Sequence, residues 1–423
     1  ALRTTGPAAA AAARALASEA AAATDRPRGG GGASWDYDVV VVGGGVVGAA
    51  LACKLAGAPW LEGAKILVVE AAAPPPVAVA LAPERPPDVR TYAITPASER
   101  FLESVGAWSP IRDAKRLTPY EAMQVWSSGG PESFVSFDAA NHAPMMPKKK
   151  QAAGAEGSDS YPHLGTIVEH TALQSALFAQ MTKLESRGLL EVACPSEVAN
   201  LTLDDAKEMG AYPGSAKPAR PATLDLVTQD LSGSKDGREA SGSRRTVTAR
   251  LVVAADGAAS PTRRAAGLSA WGWGYGQRAV VATVRLGGQG LRTERGRLCL
   301  QRFLPSGPVA LLPLGRKPRP AAEAEPAAEA AGAGAASGEA AEGEEWASVI
   351  WSTGARHADW LTSIPEDAFV QELNRALTKS PSPKASSKAP GPGDLLGKGL
   401  PPPLAGLLRL GAKAAGAAAR AAA

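Results

Sequence analysis

Between Tyr37 and Leu55 the chain reads YDVVVVGGGVVGAALACKL. Four consecutive valines favour extended backbone, because β-branched side chains are stiff at χ1 and pack well in strands. Three glycines follow at once, and then an alanine-rich run with helical character. A stiff strand, a permissive break and a helix imply a buried strand, a tight turn and a helix folded back on the sheet. Gly43, Gly45 and Gly48 spell G-x-G-x-x-G in that turn. The first glycine allows the turn, the second lets backbone approach a pyrophosphate, and the third lets the helix lie close to the strand. The helix start then offers N–H groups and partial positive charge to phosphates. The next strand-like run, Lys65–Val69, ends at Glu70, 22 residues after Gly48. A carboxylate there accepts from a ribose 2′-hydroxyl and repels a 2′-phosphate, which predicts FAD or NAD rather than NADP. The plainer alternative is a glycine turn without a ligand, with Glu70 as a solvated strand end.

A second segment, ARLVVAADGAASPTRRAAGL from Ala249 to Leu268, again runs strand, turn, helix. It contains D-G-x-x-S-x-x-R: Asp256, Gly257, Ser260 and Arg263. Asp256 can accept from ribityl hydroxyls or steady the glycine turn. Gly257 permits close approach of backbone to a ligand. Ser260 can cap a helix starting at Pro261. Arg263 can reach the pyrophosphate or a neighbouring carboxylate. Taken alone, the motif reads as an ordinary capped helix; coupled to the first, it points to one shared ligand.

The remaining sequence bounds the answer. At 423 residues the chain can hold two domains. Its 45 basic and 41 acidic residues leave a net charge of +4, with no basic stripe interleaved with aromatics, so nucleic acid is not an expected partner. Cys53, Cys194 and Cys299 are too scattered for a disulfide framework or a zinc motif. His142, His163, His170 and His357 lack metal-ligand spacing, so no metal is expected. No uninterrupted apolar run reaches the length of a membrane span, so any membrane contact is expected to be peripheral. Residues 1–34 are alanine-rich, with Arg3, Arg14, Arg26 and Arg28 against Glu19 and Asp25. They read as an organellar transit peptide, or else as alanine-rich padding. Residues 141–160, 205–222, 232–245 and 316–345, and the tail from Lys379, are rich in Ala, Gly, Pro and Ser and read as insertions or linkers.

Helices are expected over Gly45–Leu55, Ala97–Val105, Thr171–Ser186 and Glu366–Leu377. Ten strand-like runs extend from Asp38–Val42 to Ala347–Ser352. The first third alternates strands and helices, which predicts a parallel sheet; later strands with few helices predict a second, mainly antiparallel one.

The two motifs together resemble those of the single-component flavin aromatic hydroxylases, whose fold is that of p-hydroxybenzoate hydroxylase. Further segments resemble the ubiquinone-biosynthesis monooxygenases, the mitochondrial coenzyme Q ring hydroxylase branch in particular. They are RTYAITPASERFLESVGAW (Arg90–Trp108), MQVW (Met123–Trp126), IVEHTALQSAL (Ile167–Leu177), AVVATV (Ala279–Val284), QRFLPSGPVALLPL (Gln301–Leu314) and WASVIWST (Trp346–Thr353). The resemblance covers roughly residues 35 to 377. It implies an α/β fold: a Rossmann-like, GR2-type FAD-binding domain interleaved with a mainly antiparallel substrate domain. Residues 35–130 and 166–268 would form the FAD-binding parts, 131–165 and 269–377 the substrate domain, and 378–423 a tail.

It also implies an FAD-dependent monooxygenase that hydroxylates a polyprenylated phenol with O2. The electron donor would be NAD(P)H or a ferredoxin relay. The site would be the matrix side of the mitochondrial inner membrane, peripherally bound, with a ubiquinone-biosynthesis complex as possible company. By position, Gly43, Gly45, Gly48 and Glu70 would hold the ADP half. Arg90 would stabilise negative charge beside the flavin. Gln174 would contact the flavin, and Asp256, Gly257 and Arg263 would serve the ribityl and pyrophosphate. The family's third motif, G-D-A-A-H after a strand, has no counterpart beyond Thr353. That leaves two alternatives to a working hydroxylase: a truncated member acting as scaffold or remnant, and an NAD-linked oxidoreductase using the first motif alone.

Overall fold

The computed structural model describes residues 34–128, 134–142, 163–203, 221–228, 243–287, 290–294, 296–317, 344–378 and 420–422. The expected transit peptide, most of the four insertions and nearly all of the tail lie outside the described residues. In chain order the strands are β1 (Tyr37–Val42), β2 (Ile66–Val69), β3 (Thr91–Ile94), β4 (Leu117–Tyr120), β5 (Ala122–Ser127), β6 (Phe134–Asp138), β7 (Gly165–Glu169), β8 (Glu191–Ala193) and β9 (Ser196–Thr202). There follow β10 (Ala222–Thr228), β11 (Ser243–Ala254), β12 (Gln277–Leu286), β13 (Arg292–Thr293), β14 (Gly296–Leu304), β15 (Gly307–Lys317), β16 (Glu344–Gly354) and β17 (Arg420–Ala422). The helices are α1 (Val46–Ala56), α2 (Val77–Ala80), α3 (Pro96–Ser104), α4 (Trp108–Asp113), α5 (Ala139–His142), α6 (His170–Glu185), α7 (Pro261–Ala265), α8 (Ala355–Ser363) and α9 (Glu366–Thr378). Two units emerge: one gathers residues 1–74, 104–107 and 174–271, the other 75–103, 108–173 and 272–423.

The first unit is built on a six-stranded sheet in the order β8-β2-β1-β11-β10-β9. β8, β2, β1 and β11 run parallel, and β10 and β9 join antiparallel. The valine run is β1, near the centre of this sheet, with Val40 and Val41 fully buried. Burial on both faces is why the strand shows no polar alternation. β11 serves two partners in succession: its first half pairs with β10 and its second half with β1, the handover falling at Ala249. Ala49, Ala52 and Cys53 bury the inner face of α1, and their small size lets that helix lie close to the sheet. At the starts of the strands the Tyr37 hydroxyl donates to Glu191 over 2.5 Å, and Arg245 bonds both. Burial, then the Glu191 carboxylate, pushes the Tyr37 phenol up to about 12.

The second unit carries a large sheet in the order β17-β12-β16-β15-β14-β5-β6, with β13 paired to β14, and a small sheet β3-β7-β4. All pairings are antiparallel except β14 with β5. One face of the large sheet packs under α8 and α9 through Leu300, Leu311, Val349, Trp351, Leu361, Phe369 and Leu373. The small sheet packs on the other face, where Ile167 meets Cys299, Leu314 and Trp346.

Each expected helix is present to within a residue at either end. Helices α2, α4, α5 and α8 and strands β3, β4, β7, β9, β13, β14 and β17 were not expected as separate elements. The parallel core is not built from the first third alone: β8 and β11 enter it from later in the chain, while β3, β4 and β5 go to the second unit. Residues 75–103 and 108–128, expected within the first domain, therefore cluster with the second unit.

A buried ion pair braces the second unit. Arg116 and Glu169 have side chains only 1% and 2% exposed and meet at 2.9 and 3.1 Å. The remaining guanidinium N–H groups donate to the carbonyls of Ala82, Arg85 and Pro86, so the 82–86 connection is tied to β7. Removing one partner strands a charge in low dielectric. Arg116→Met is therefore expected to cost about 3–5 kcal/mol in urea unfolding at neutral pH. The double variant Arg116→Met/Glu169→Leu is expected to recover most of that loss.

Candidate functional site

Three neighbouring parallel strands of the first unit end side by side, and each end carries part of the predicted constellation. β2 ends at Val69 before Glu70, β1 at Val42 before the glycine run, and β11 at Ala254 before Asp256. Backbone bonds hold the ends level: Gly43 N–H donates to Val69 O over 2.8 Å, and Ala255 N–H to Val42 O over 2.7 Å. In a parallel α/β sheet ligands bind beyond the carboxyl ends of the strands, where this cluster lies.

Each glycine has its own constraint. Gly43 has φ +101, and a β-carbon there would lie 2.4 Å from Ala255 O. A β-carbon on Gly48 would lie 1.9 Å from Gly43 O, so α1 can approach the turn only with hydrogen at that position. Gly45 differs: a β-carbon would meet nothing within 4 Å. Its emptiness is not needed for packing, which leaves close approach of a ligand as its physical use. Gly45 caps α1 without a side-chain hydrogen bond, and no acid occupies the first turn. The first N–H groups of α1 thus keep their capacity for an anion.

Gly44, which the motif leaves unassigned, proves to matter. Its N–H donates to Glu70 Oε2 over 2.5 Å, and a β-carbon would press on the Glu70 side chain at 2.9 Å. Glu70 Oε1 accepts from Ala72 N–H over 3.0 Å. Its main chain is held by Ala193 O and by Ser196 N–H. With one bond on each oxygen, the carboxylate keeps lone pairs for sugar hydroxyls. The run of three glycines was the available signal for Gly44: a third glycine beyond the G-x-G spacing needs its own reason.

Asp256 braces the second turn. Its Oδ1 accepts from the Ser260 hydroxyl at 2.5 Å and its Oδ2 from Thr262 N–H at 2.9 Å. Ser260 Oγ accepts in turn from Arg263 N–H at 2.9 Å, capping α7. Burial would raise the Asp256 carboxyl; the bonds from Ser260 and Thr262 outweigh it and hold it below the ordinary aspartate value of 3.8. Gly257 has φ +83 and open space around it. The Arg263 guanidinium donates to Ala258 O over 3.1 Å, within the same turn. Gln174, on α6, is half-buried.

Arg90 belongs to the second unit. Its N–H donates to Asp88 and its C=O accepts from His170 N–H, so its backbone is clamped on both sides. Its guanidinium lies 5.9 Å from the Tyr92 ring centroid. Tyr92 shares a 2.7 Å hydrogen bond with His170 Nδ1.

These features suit a dinucleotide. Gly45 leaves room where a pyrophosphate must come close, α1 presents uncapped N–H groups, and Glu70 keeps acceptors beside them. A model of the FAD binding domain family matches residues 36–381. The mitochondrial ubiquinone biosynthesis monooxygenase COQ6 of Xenopus tropicalis is 30% identical over 341 residues, covering 81% of this chain and 56% of that protein. The 3-demethoxyubiquinol 3-hydroxylase of Escherichia coli (strain K12) is 30% identical over 277 residues, covering 66% of this chain and 54% of that protein. A solved structure, p-nitrophenol 4-monooxygenase PnpA from Pseudomonas putida DLL-E4, aligns with a TM-score of 0.47 at 17% identity, covering 81% of this chain and 62% of that one. The chain spans about half the length of the curated relatives it matches.

Three variants separate packing from charge at this site. Gly48→Ala forces α1 off the turn, and urea unfolding is expected to show it strongly destabilised, while Gly45→Ala stays within about 1 kcal/mol of the native chain. Asp256→Asn is expected to lose about 1 kcal/mol at pH 7, the scale of a lost cap. A carboxyl depressed in the folded state stabilises above its unfolded pKa and loses that contribution as pH falls through the folded one. The gap between Asp256→Asn and the native chain should therefore close as the pH drops below 3.8.

Proposed function

The chain belongs to the FAD binding domain family, and on that footing we infer that it hydroxylates the aromatic ring of a polyprenylated phenol, using FAD and O2, in ubiquinone biosynthesis. The observation that carries this reading is the meeting of the two motifs at adjacent strand ends, β1 and β11. A lone glycine fingerprint fits many dinucleotide proteins; an Asp-Gly turn beside it, in a chain similar to ubiquinone-ring hydroxylases, narrows the choice.

In this reading the backbone of Gly43–Gly48 and the start of α1 bind the pyrophosphate, and Glu70 accepts from the adenosine ribose. Asp256 holds its turn rigid so that Gly257 presents bare backbone to the ribityl chain. Arg263 and Gln174 support the same half of the cofactor. Arg90, whose guanidinium has no carboxylate partner among the described residues, supplies positive charge at the ring. Bound FAD supplies the redox centre at which oxygen is activated. One oxygen atom of O2 becomes the ring hydroxyl and the other leaves as water, with two electrons drawn from a reduced pyridine nucleotide or a ferredoxin relay. The protein's share of the chemistry is placement and exclusion of water.

The curated relatives named COQ6 carry the word mitochondrial in their names, and the same compartment is the reading for this chain, at the matrix face of the inner membrane. No helix among the described residues is long and apolar enough to cross a membrane, and peripheral attachment is part of the proposal.

The test is direct. The purified chain is expected to be yellow, or to gain thermal stability on adding FAD and none on adding NADH. Gly45→Ala is expected to fold normally yet lose at least about tenfold in FAD affinity, about 1.4 kcal/mol. A response to NADH alone would replace the reading with an NAD-linked oxidoreductase. A folded, colourless protein indifferent to both would leave the scaffold.

A further inference from the structure

The dinucleotide cluster takes up one end of the parallel strands in the first unit. Their other end opens onto a cavity of about 880 Å³, lined by residues of that unit alone. Its walls come from the starts of β1, β2 and β8, from the chain leaving α1 (56–64) and from the turn after α6 (187–189). The volume is that of a small-molecule site. β1 holds the two ends apart: its six residues, at about 3.3 Å each, make roughly 20 Å. A ligand here and a dinucleotide at the glycine turn do not compete for space.

The floor of the cavity is built in advance. The Tyr37 hydroxyl donates to Glu191 Oε2, and Arg245 donates to Glu191 Oε1 over 2.7 Å and to the Tyr37 oxygen. These three side chains tie β1, β8 and β11 together across the intervening β2. Trp35, on the wall, is fixed as well. Its indole N–H donates to Asp38 Oδ1 over 3.0 Å, and the Arg250 guanidinium lies 5.5 Å from its ring centroid.

The lining acids are Asp36, Glu62 and Glu191, and the bases are Lys65, Arg187 and Arg245. Formal charge therefore cancels, and what decides is which hydrogen-bonding capacity is already used. Glu191 is spent on Tyr37 and Arg245. Asp36 accepts from the Thr248 N–H and hydroxyl at 2.7 and 2.8 Å. Glu62 stands outward on the exposed 59–64 connection. The side chains of Lys65 and Arg187, by contrast, make no ion pair or hydrogen bond among the described residues. β2 and β8 pair in parallel with Leu67 against Glu191, which sets Lys65 level with Leu189, two residues from Arg187. Two long, unspent cations thus rise from neighbouring strand starts, within reach of one anion.

We propose that this cavity is a second ligand site, for a small carboxylate or phosphate anion with an apolar or aromatic body. Lys65 and Arg187 hold the anion through charge-assisted bonds. Trp35, Pro59, Leu61 and Leu190 supply the wall for the body. The site is independent of the reaction performed at the opposite strand ends.

The experiment titrates the full chain, saturated with FAD, with phenyl phosphate, benzoate, neutral benzamide and inorganic phosphate in a calorimeter. Phenyl phosphate or benzoate is expected to saturate one site, and the tighter of the two identifies the anion. Benzamide, which lacks the charge, and inorganic phosphate, which lacks the body, are each expected to bind at least about tenfold more weakly. Arg187→Gln and Lys65→Gln change exposed side chains. Each is expected to keep the native melting temperature and FAD affinity and to weaken the preferred anion about tenfold. Photoreactive 4-azidophenyl phosphate is expected to label peptides from 56–66 or 187–191, and excess phenyl phosphate to block it. No saturable binding of either anion, benzamide binding as tightly as they do, or native affinity in both variants would each overturn the site. So would a label on the Gly43–Gly48 turn.

Discussion

The close approach of Gly48 to Gly43 is the contact on which the first unit depends. A hydrogen fits between them and a methyl group does not. This contact turns the chain from β1 into α1 within three residues and brings α1 down onto the sheet. It also frees the end of β1 to bond sideways, to Val69 through Gly43 N–H and to Ala255 through Val42 O. The glycine turn thus levels three strand ends, and a level row of strand ends is what makes a flat-mouthed site possible. A bulkier turn would lift the helix, and its N–H groups would point above the site instead of into it.

Two carboxylates stand at that mouth and work differently. Asp256 spends both oxygens inside its own loop, on Ser260 and Thr262, and so fixes the start of α7. Glu70 reaches from β2 to the Gly44 N–H of the neighbouring loop and so ties two strand ends together. The first is a brace whose removal acts on stability. The second is positioned by the fold with acceptor capacity left over, which is the state a ligand-binding carboxylate needs before its ligand arrives. The sequence alone allowed either use for Asp256, because a ribityl acceptor and a capping group are the same residue in the same place.

Where the chain's local chemistry determines structure, the sequence was legible. The valine run, the glycines, the Pro261 helix start with its Ser260 cap, and the amphipathic α9 all declare themselves within a few residues. What failed was long-range. β14 reads GRLCLQRFL, and its alternation is inverted: Arg302 points into the core at 3% exposure and Phe303 points out at 48%. A buried arginine hides a strand from any pattern of apolar alternation. β3, β4 and β7 are four or five residues each and gain their order from pairing with one another, which no single segment reveals. α8 presents a sequence, ARHADWLTS, whose apolar face is two residues wide, Ala358 and Leu361. The division into units is long-range as well, since β8 and β11 join β1 and β2 from later in the chain while β3, β4 and β5 go to the other unit, and only the sheets show it.

The inversion on β14 also explains how one sheet comes to have two unlike faces. Arg302 donates to Ala376 O over 2.8 Å, at the carboxyl end of α9, where partial negative charge favours a cation. Burial alone depresses its pKa, and the helix end offsets that cost. The arginine therefore spends its charge on fastening α9 to the covered face. The residues beside it, Gln301 and Phe303, necessarily turn to the opposite face, since neighbours along a strand alternate. The register that buries Arg302 under α9 is the same register that sets Val281, Ile350, Ala310, Val125 and Val135 on the opposite face, so the anchoring of the helix and the composition of that face cannot be changed independently.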